Sequence, residues 1–403
     1  MAINGITHAA PLRRTNKRPT LDYELFETAV ALADEGRALE SLHKVLEHFF
    51  PGRPIPDLTK EPFSFVQGSS KVTVRIDGDD VVAAVALVKL PPGGSAIAAM
   101  RHVLTNIACT GQLHQPRLHG DDLYLEYRDA VSRMHPAKLV EVLQRMPAEA
   151  DDNDDWLIGQ FQATPFDRAD IATLSTEDVK TAHAFWTSHW NEVDELLKDC
   201  QKKRSYFFLN ELTAFAYNRA MATLPLHGFI HSRLREALST FNDTSEDPMK
   251  REASLAKCSK DMKAVTLDDL GKNLGHVTYA LPPVAQGTPK VLHAYIGDCD
   301  YMDTVAELKK GGKSMDAAFA FISTYYFLLV RFAWDEAIEK DFLAGLEKAS
   351  GKPWKEVAQI LTDHSAMMAE KYEDLEEDED DDDEEEEGDE DGEEEETEEG
   401  DEE

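Results

Sequence analysis

Four short constellations in this 403-residue sequence carry residue types capable of chemistry. His227 and His231 stand four apart, the spacing that sets two imidazoles on one helical face, as a metal pair requires. A zinc site needs a third and usually a fourth ligand. No HExxH is present, and nothing in the sequence brings Cys258 or Asp298 beside the pair, so exposed or packing histidines are expected. Asp298-Cys299-Asp300 places a thiol between carboxylates, whose negative charge raises a thiol pKa and makes it a poor nucleophile. Lys310-Gly311-Gly312-Lys313-Ser314 has the end of a phosphate loop, but Glu307 stands where the first glycine belongs and no apolar strand precedes it. A solvated helix start is expected instead. Phe185-Trp186 and His189-Trp190 fall at helical spacing, the pattern of a core rather than a ligand box. The reading therefore expects no catalytic residue, no metal ligand and no cofactor.

The elements that position these residues follow from the period of the apolar positions. Steps of three and four predict helix over 21–50, with Gly36 a breakpoint and Pro51 to Pro56 its end. Lys71–Asp77 alternates strictly, with Val72, Val74 and Ile76 on one face, and predicts a half-buried strand. Asp77-Gly78 is a hairpin turn signal. Val81–Leu90 is apolar on both faces, as in a central strand or one covered by a partner. Ile97, Met100, Val103, Leu104, Ile107 and Ala108 form one helical stripe. Gln115–His119 and Leu123–Arg128 make a second hairpin about Gly120-Asp121, and Pro136 opens a helix. The result is an αβββαββα module with an antiparallel sheet.

This order, carried by the Leu39–Phe50 helix, the hairpin VTVRIDGDDVVAAVALVKL, the Ile97–Ala108 helix and the strand LYLEYR before His135-Pro136, resembles the type III secretion chaperone fold shared with YbjN-like bacterial proteins. The resemblance covers about residues 22–160 and rests on element order, with no signature motif. It implies a small acidic domain, usually homodimeric, that holds an extended client segment and catalyses nothing. The long C-terminal region departs from that pattern.

Beyond it the chain reads as helical. The acidic run Asp151–Asp155 is a candidate boundary, with continuation of the preceding helix through Trp156–Phe161 as the alternative. Ser175-Thr176-Glu177-Asp178 has the form of a capping box. Three helical stretches follow, to Leu197, over 205–224 and over 226–241, with Pro225 interrupting. Asp243–Lys250 reads as a loop, 316–346 as one apolar helix, and Pro353 begins the last. The fold class expected is α+β: a basic disordered arm over 1–20, an α+β chaperone-like domain over 21–162, a mainly helical domain over 163–372 and an acidic disordered tail over 373–403.

Charge narrows the function classes. Acidic residues number 78 against 42 basic, a formal charge of −36. Residues 373–403 hold 26 acidic and no basic residues, leaving 52 acidic against 42 basic before them. No broad basic surface remains for nucleic acid on the folded part. Such a tail either attracts a basic protein or only keeps the chain soluble. Arg13, Arg14, Lys17 and Arg18 precede no apolar stretch, so no signal peptide is read. The longest apolar run, Ala317–Val330, is short for a membrane span. Four cysteines without CxxC fit a reducing, cytoplasmic setting.

The leading expectation is a non-enzymatic cytoplasmic adaptor, chaperone-like, holding a client protein segment and forming a homo-oligomer. Its protein-binding residues would be Val82, Ala84, Ala86 and Val88 on the two-sided strand and Ile97, Met100 and Leu104 on the helix. The alternatives are a self-associating assembly protein, and an enzyme of unrecognised type whose pocket lies where the two halves meet.

Overall fold

A computed structural model describes residues 4–14, 22–108, 111–203, 206–242, 245–281, 284–297 and 299–373. The tail beyond them, and Cys109, Asp298 and residues 15–20, lie outside the described residues, as do the side chains of Cys299 and Asp300. The fold is α+β. The first half runs α1 (Tyr23–Asp34), α2 (Ala38–Phe49), β1 (Phe63–Gly68), β2 (Ser70–Asp77), β3 (Asp80–Lys89), α3 (Gly94–Asn106), β4 (Gln115–His119), β5 (Asp122–Ala130) and α4 (Pro136–Phe161). The predicted first helix is two, because Gly36 takes a φ of +77° that only glycine adopts freely.

The second half runs β6 (Ala172–Thr173), α5 (Thr176–Lys203), α6 (Tyr206–Thr223), α7 (Gly228–Asn242), α8 (Pro248–Lys263), α9 (Leu267–Lys272), β7 (Gly275–His276), β8 (Thr278–Tyr279), β9 (Ala285–Gln286) and α10 (Pro289–Leu292). A π-helical turn, His293–Gly297, leads to α11 (Cys299–Lys310), α12 (Ser314–Arg331), β10 (Phe332–Ala333), α13 (Glu336–Ala349) and α14 (Trp354–Tyr372). The single helix expected over 316–346 breaks at β10, where Trp334 turns its indole N–H back to the Leu328 carbonyl at 2.9 Å. Among the described residues no helix is long and apolar enough to cross a membrane.

Two apolar cores form. One joins Ala29 through Ala163 with Leu281; the other joins Ala182 through Tyr372 with Ile6. Each core thus borrows a residue from the other half of the chain. The main sheet has the order β4-β5-β3-β2-β1-β8, so β8, from the helical half, pairs antiparallel with β1 at its edge. The Gln67 side chain extends that pairing: its carbonyl accepts from the Ala280 and Leu281 amides at 3.0 and 2.9 Å, and its amide donates to the Leu281 carbonyl at 3.2 Å.

The arm expected to be disordered over 1–20 is instead, over 4–14, a strap laid on the helical half. Ile6 is 1% exposed. Its carbonyl accepts from Gly351 at 2.8 Å, Asn4's from Trp354 at 3.0 Å, and Leu12 donates to Thr223 at 2.7 Å. Arg13 donates to the Ala222 and Leu329 carbonyls and pairs with Glu339 at 3.0 Å. Its positive charge is spent on acceptors inside the protein, which is why a basic segment packs here rather than staying in water.

The acidic run Asp151–Asp155 is not a boundary either. It lies inside α4, which continues through Pro147 to Phe161.

Candidate functional site

Three of the seven residues expected to bind protein are closed to a partner. Val82 and Val88 are 0% exposed and Ala86 is 7%. Two local causes account for this. A β-bulge between Ala86 and Val88 shifts the alternation, so Val88 joins Leu87 in the core. On the outer face, Val82 stands opposite Arg75 and Arg128, Ala84 opposite Thr73 and Glu126, and Ala86 opposite Tyr124. Arg128 is held over this face by Asp77 at 2.8 Å, Asp80 at 3.1 Å and Glu126 at 3.4 Å. Long polar side chains therefore cover the small residues of β3, with their stems as the apolar lid. Ala84 is half-buried.

The α3 residues divide differently. Ala99, Val103 and Ile107 enter the core and Met100 is half-buried, while Ile97 is 59% and Leu104 52% exposed. The inner side of this six-residue stripe meets α4, where His102 stacks on Trp156 at 4.1 Å. The loop after α3 is pinned to α4 by His114 and Glu149 at 2.5 Å, and leaves Leu113 39% exposed. Next comes β4, the end strand of the sheet, bonded to β5, with Leu118 49% exposed. Residues 97–118 thus carry four exposed large apolar side chains together with a strand whose outer backbone edge has no partner strand among the described residues.

A second concentration of polar chemistry sits where the halves meet. Asp151 accepts from the Ser69 amide and hydroxyl and from the Ser70 hydroxyl, at 3.1, 2.6 and 3.1 Å. Asp152 pairs with Arg235 of α7. Arg168 pairs with Asp154 at 3.1 Å and Asp155 at 2.8 Å and donates to Ser69 at 2.9 Å. Burial raises Asp151 to about 6 against the Ser69 and Ser70 hydrogen bonds. Burial, then the neighbouring Asp155, pushes Asp154 well up. His231 faces the same seam and is lowered to about 4 by burial, then by Arg235 and His227. His227 is not on the helix with it: α7 begins at Gly228, whose φ is +71°. The carboxylates are committed to serines and arginines, and among the described residues no group of three or more His, Cys, Asp or Glu is arranged for a metal ion.

The seam makes opposite demands on pH. Asp151 keeps a proton in the folded chain that the unfolded chain releases above 3.8, so its contribution to stability falls as pH rises from about 4 to 6. His231 stays neutral where the unfolded chain takes up a proton, so its contribution grows from about 4 to 6.5. Replacing Asp151 by Asn unmasks the second slope. Between pH 4 and 6.5 the variant should gain about 2 kcal/mol more stability than the parent chain. Urea midpoints measured across that range check this, and parallel curves would mean that Asp151 does not titrate in the fold.

The other constellations resolve into structure. Trp186 and Trp190 are core, with the Trp186 indole N–H donating to the Met262 carbonyl at 2.8 Å. Gly311 and Gly312 close α11, with Gly312 at φ +74° and the Lys313 amide on the Leu308 carbonyl at 2.9 Å. Cys200 and Cys258 are buried thiols outside any disulfide, pushed by burial to about 11 and about 12. The seam's Ser69, Arg168 and Arg235 were missed by sequence reasoning. Their one sequence signal is five successive polar residues, Asp151–Asp155, inside a helix that resumes its apolar spacing at Trp156 and Ile158. Comparison with known proteins adds no assignment: no protein-family model matches the chain, and no curated protein matches it.

Proposed function

We propose that the protein is a non-enzymatic adaptor that holds an extended segment of a client protein along α3 and the free edge of β4. The observation that carries this reading is the set of exposed apolar residues Ile97, Leu104, Leu113 and Leu118, in the segment that leads into and includes β4, whose outer edge has no partner strand among the described residues. Edge backbone groups bind a strand without regard to its sequence, and flanking apolar side chains select its residues. The chaperone-like element order fits the same role, and Cys200 and Cys258, in no disulfide, fit a cytoplasmic setting. The acidic residues past Tyr372 would draw a basic client at long range, an attraction that weakens as salt shortens the screening length.

The test is a double replacement, Ile97→Glu with Leu104→Glu. Both side chains are more than half exposed, so the melting temperature should change by no more than a few degrees. Proteins retained by the parent chain from its native host should be lost from the variant. Light scattering on both proteins separates a client from self-association. A parent oligomer that the variant cannot form would assign the face to a second copy, and unchanged retention would remove the proposal.

A further inference from the structure

A cavity of about 260 Å³ opens between α6, α12 and the π-helical turn, away from α3 and β4. Its wall carries Glu211 and Asn218 from α6, Ser323, Thr324 and Phe327 from α12, and Tyr295 from the turn. Asn218 is 6% exposed and lies on the cavity wall. Glu211 accepts from the Ser323 hydroxyl, and no cationic side chain among the described residues pairs with it. Burial raises its pKa, as it must for a carboxylate taken out of water without a counter-charge. A carboxylate drawn out of water with one hydroxyl donor and no counter-charge has acceptor capacity left over, and a ligand in the cavity can fill it.

The geometry states what that is. One carboxylate, one amide carbonyl and two hydroxyls present acceptors to a common space, while Tyr295 and Phe327, 5.5 Å apart, offer aromatic faces. Thr324 accepts from the Tyr301 hydroxyl at 3.3 Å and so is held in place. Three donors on a compact positive head match such a set, and the rings attract that charge and pack its methylene stem. We propose that this cavity binds a primary ammonium group on a short alkyl stem, with Glu211 as counter-ion, Asn218 as acceptor and Tyr295 and Phe327 around the stem. The volume exceeds one water many times over but is small for a larger ligand. Tyr295 stands on a π-helical turn, a local widening that recurs at binding sites because it spends backbone regularity to aim a side chain. The site is independent of the client face, and each can fail alone.

The same chemistry reaches the cavity as a free amine or as a lysine side chain of another protein. Calorimetry on the full chain at constant ionic strength, with n-butylamine, 1,4-diaminobutane, Nα-acetyl-lysine methylamide and n-butanol, distinguishes them. The amines should bind saturably and the alcohol should not. Glu211→Gln keeps shape and the acidic tail but removes the counter-charge, and should weaken amine binding roughly tenfold or more. Tighter binding of the lysine amide than of the free amines assigns the site to a protein's lysine, and the reverse order to a small amine. Should Glu211→Gln not fold, Asn218→Ala and Tyr295→Ala carry the same expectation. Equal binding by parent and variants, or equal binding of butanol and butylamine, would overturn the proposal.

Discussion

Replacing Arg219 by methionine will lower the unfolding free energy by about 3 kcal/mol and release the N-terminal strap. Arg219 is 1% exposed. One of its terminal nitrogens donates to Glu192 at 2.5 Å and the other to the Thr7 carbonyl at 2.5 Å. Its guanidinium lies 5.3 Å from the Phe185 ring centre and 5.4 Å from that of Phe215. A methionine fills the stem's space but leaves Glu192 without its cation and Thr7 without a donor. The cost is mainly that of the stranded carboxylate, so adding Glu192→Gln should recover part of it, and the double-mutant cycle measures the coupling. Amide hydrogen exchange of residues 4–14 gives the local readout. The Leu12 amide, bonded to Thr223 at 2.7 Å, should exchange faster in the variant even where the global fold persists. A variant with unchanged stability and a protected Leu12 would mean that Arg219 does not fasten the strap.

The contrast between what the sequence makes legible and what it hides follows from range. β2, β3, α3, β5 and the start of α4 are visible because their signal is local: a period of 2 or 3.6 and a turn glycine within a few residues. The seam is not local. Ser69 and Asp151 are 82 residues apart, and an aspartate run reads as solvated until its partners are known. β8 is two residues long, too short to show alternation. The strap's acceptors are backbone carbonyls at Ala222 and Leu329, which leave no trace in residue type. On β3 the bulge was equally silent, so Val88 read as outward when it faces in. The α3 stripe was legible as apolar, while the exposure of Ile97 and Leu104 depends on which side of α3 faces the core. Glu211 and Asn218, seven apart on α6, share a face two turns apart, but Asn210 and Arg219 beside them hide the pair in the sequence.

Gly68 is where the seam is least forgiving. It carries a φ of +65° at the end of β1, and a Cβ built there would lie 1.8 Å from an Asp151 carboxylate oxygen. An alanine at this position meets two penalties together. The left-handed backbone disfavours any Cβ by about 1–2 kcal/mol. The methyl also displaces the carboxylate that accepts from the Ser69 amide and hydroxyl and from Ser70, leaving buried donors without an acceptor. Together Gly68→Ala should cost about 3 kcal/mol. Gly78 is the internal control, since it has a φ of +64° in the next hairpin and nothing within 4 Å of its would-be Cβ. Gly78→Ala should show the backbone penalty alone, about 1 kcal/mol. Urea unfolding of the two variants separates the contributions, because they share a backbone conformation and differ in what the methyl meets. The extra loss at Gly68 should also shrink when Asp151 is already alanine, since the methyl then has no carboxylate to displace. Equal losses in the two glycine variants would show that Asp151 yields without cost and that the seam is looser than its hydrogen bonds imply.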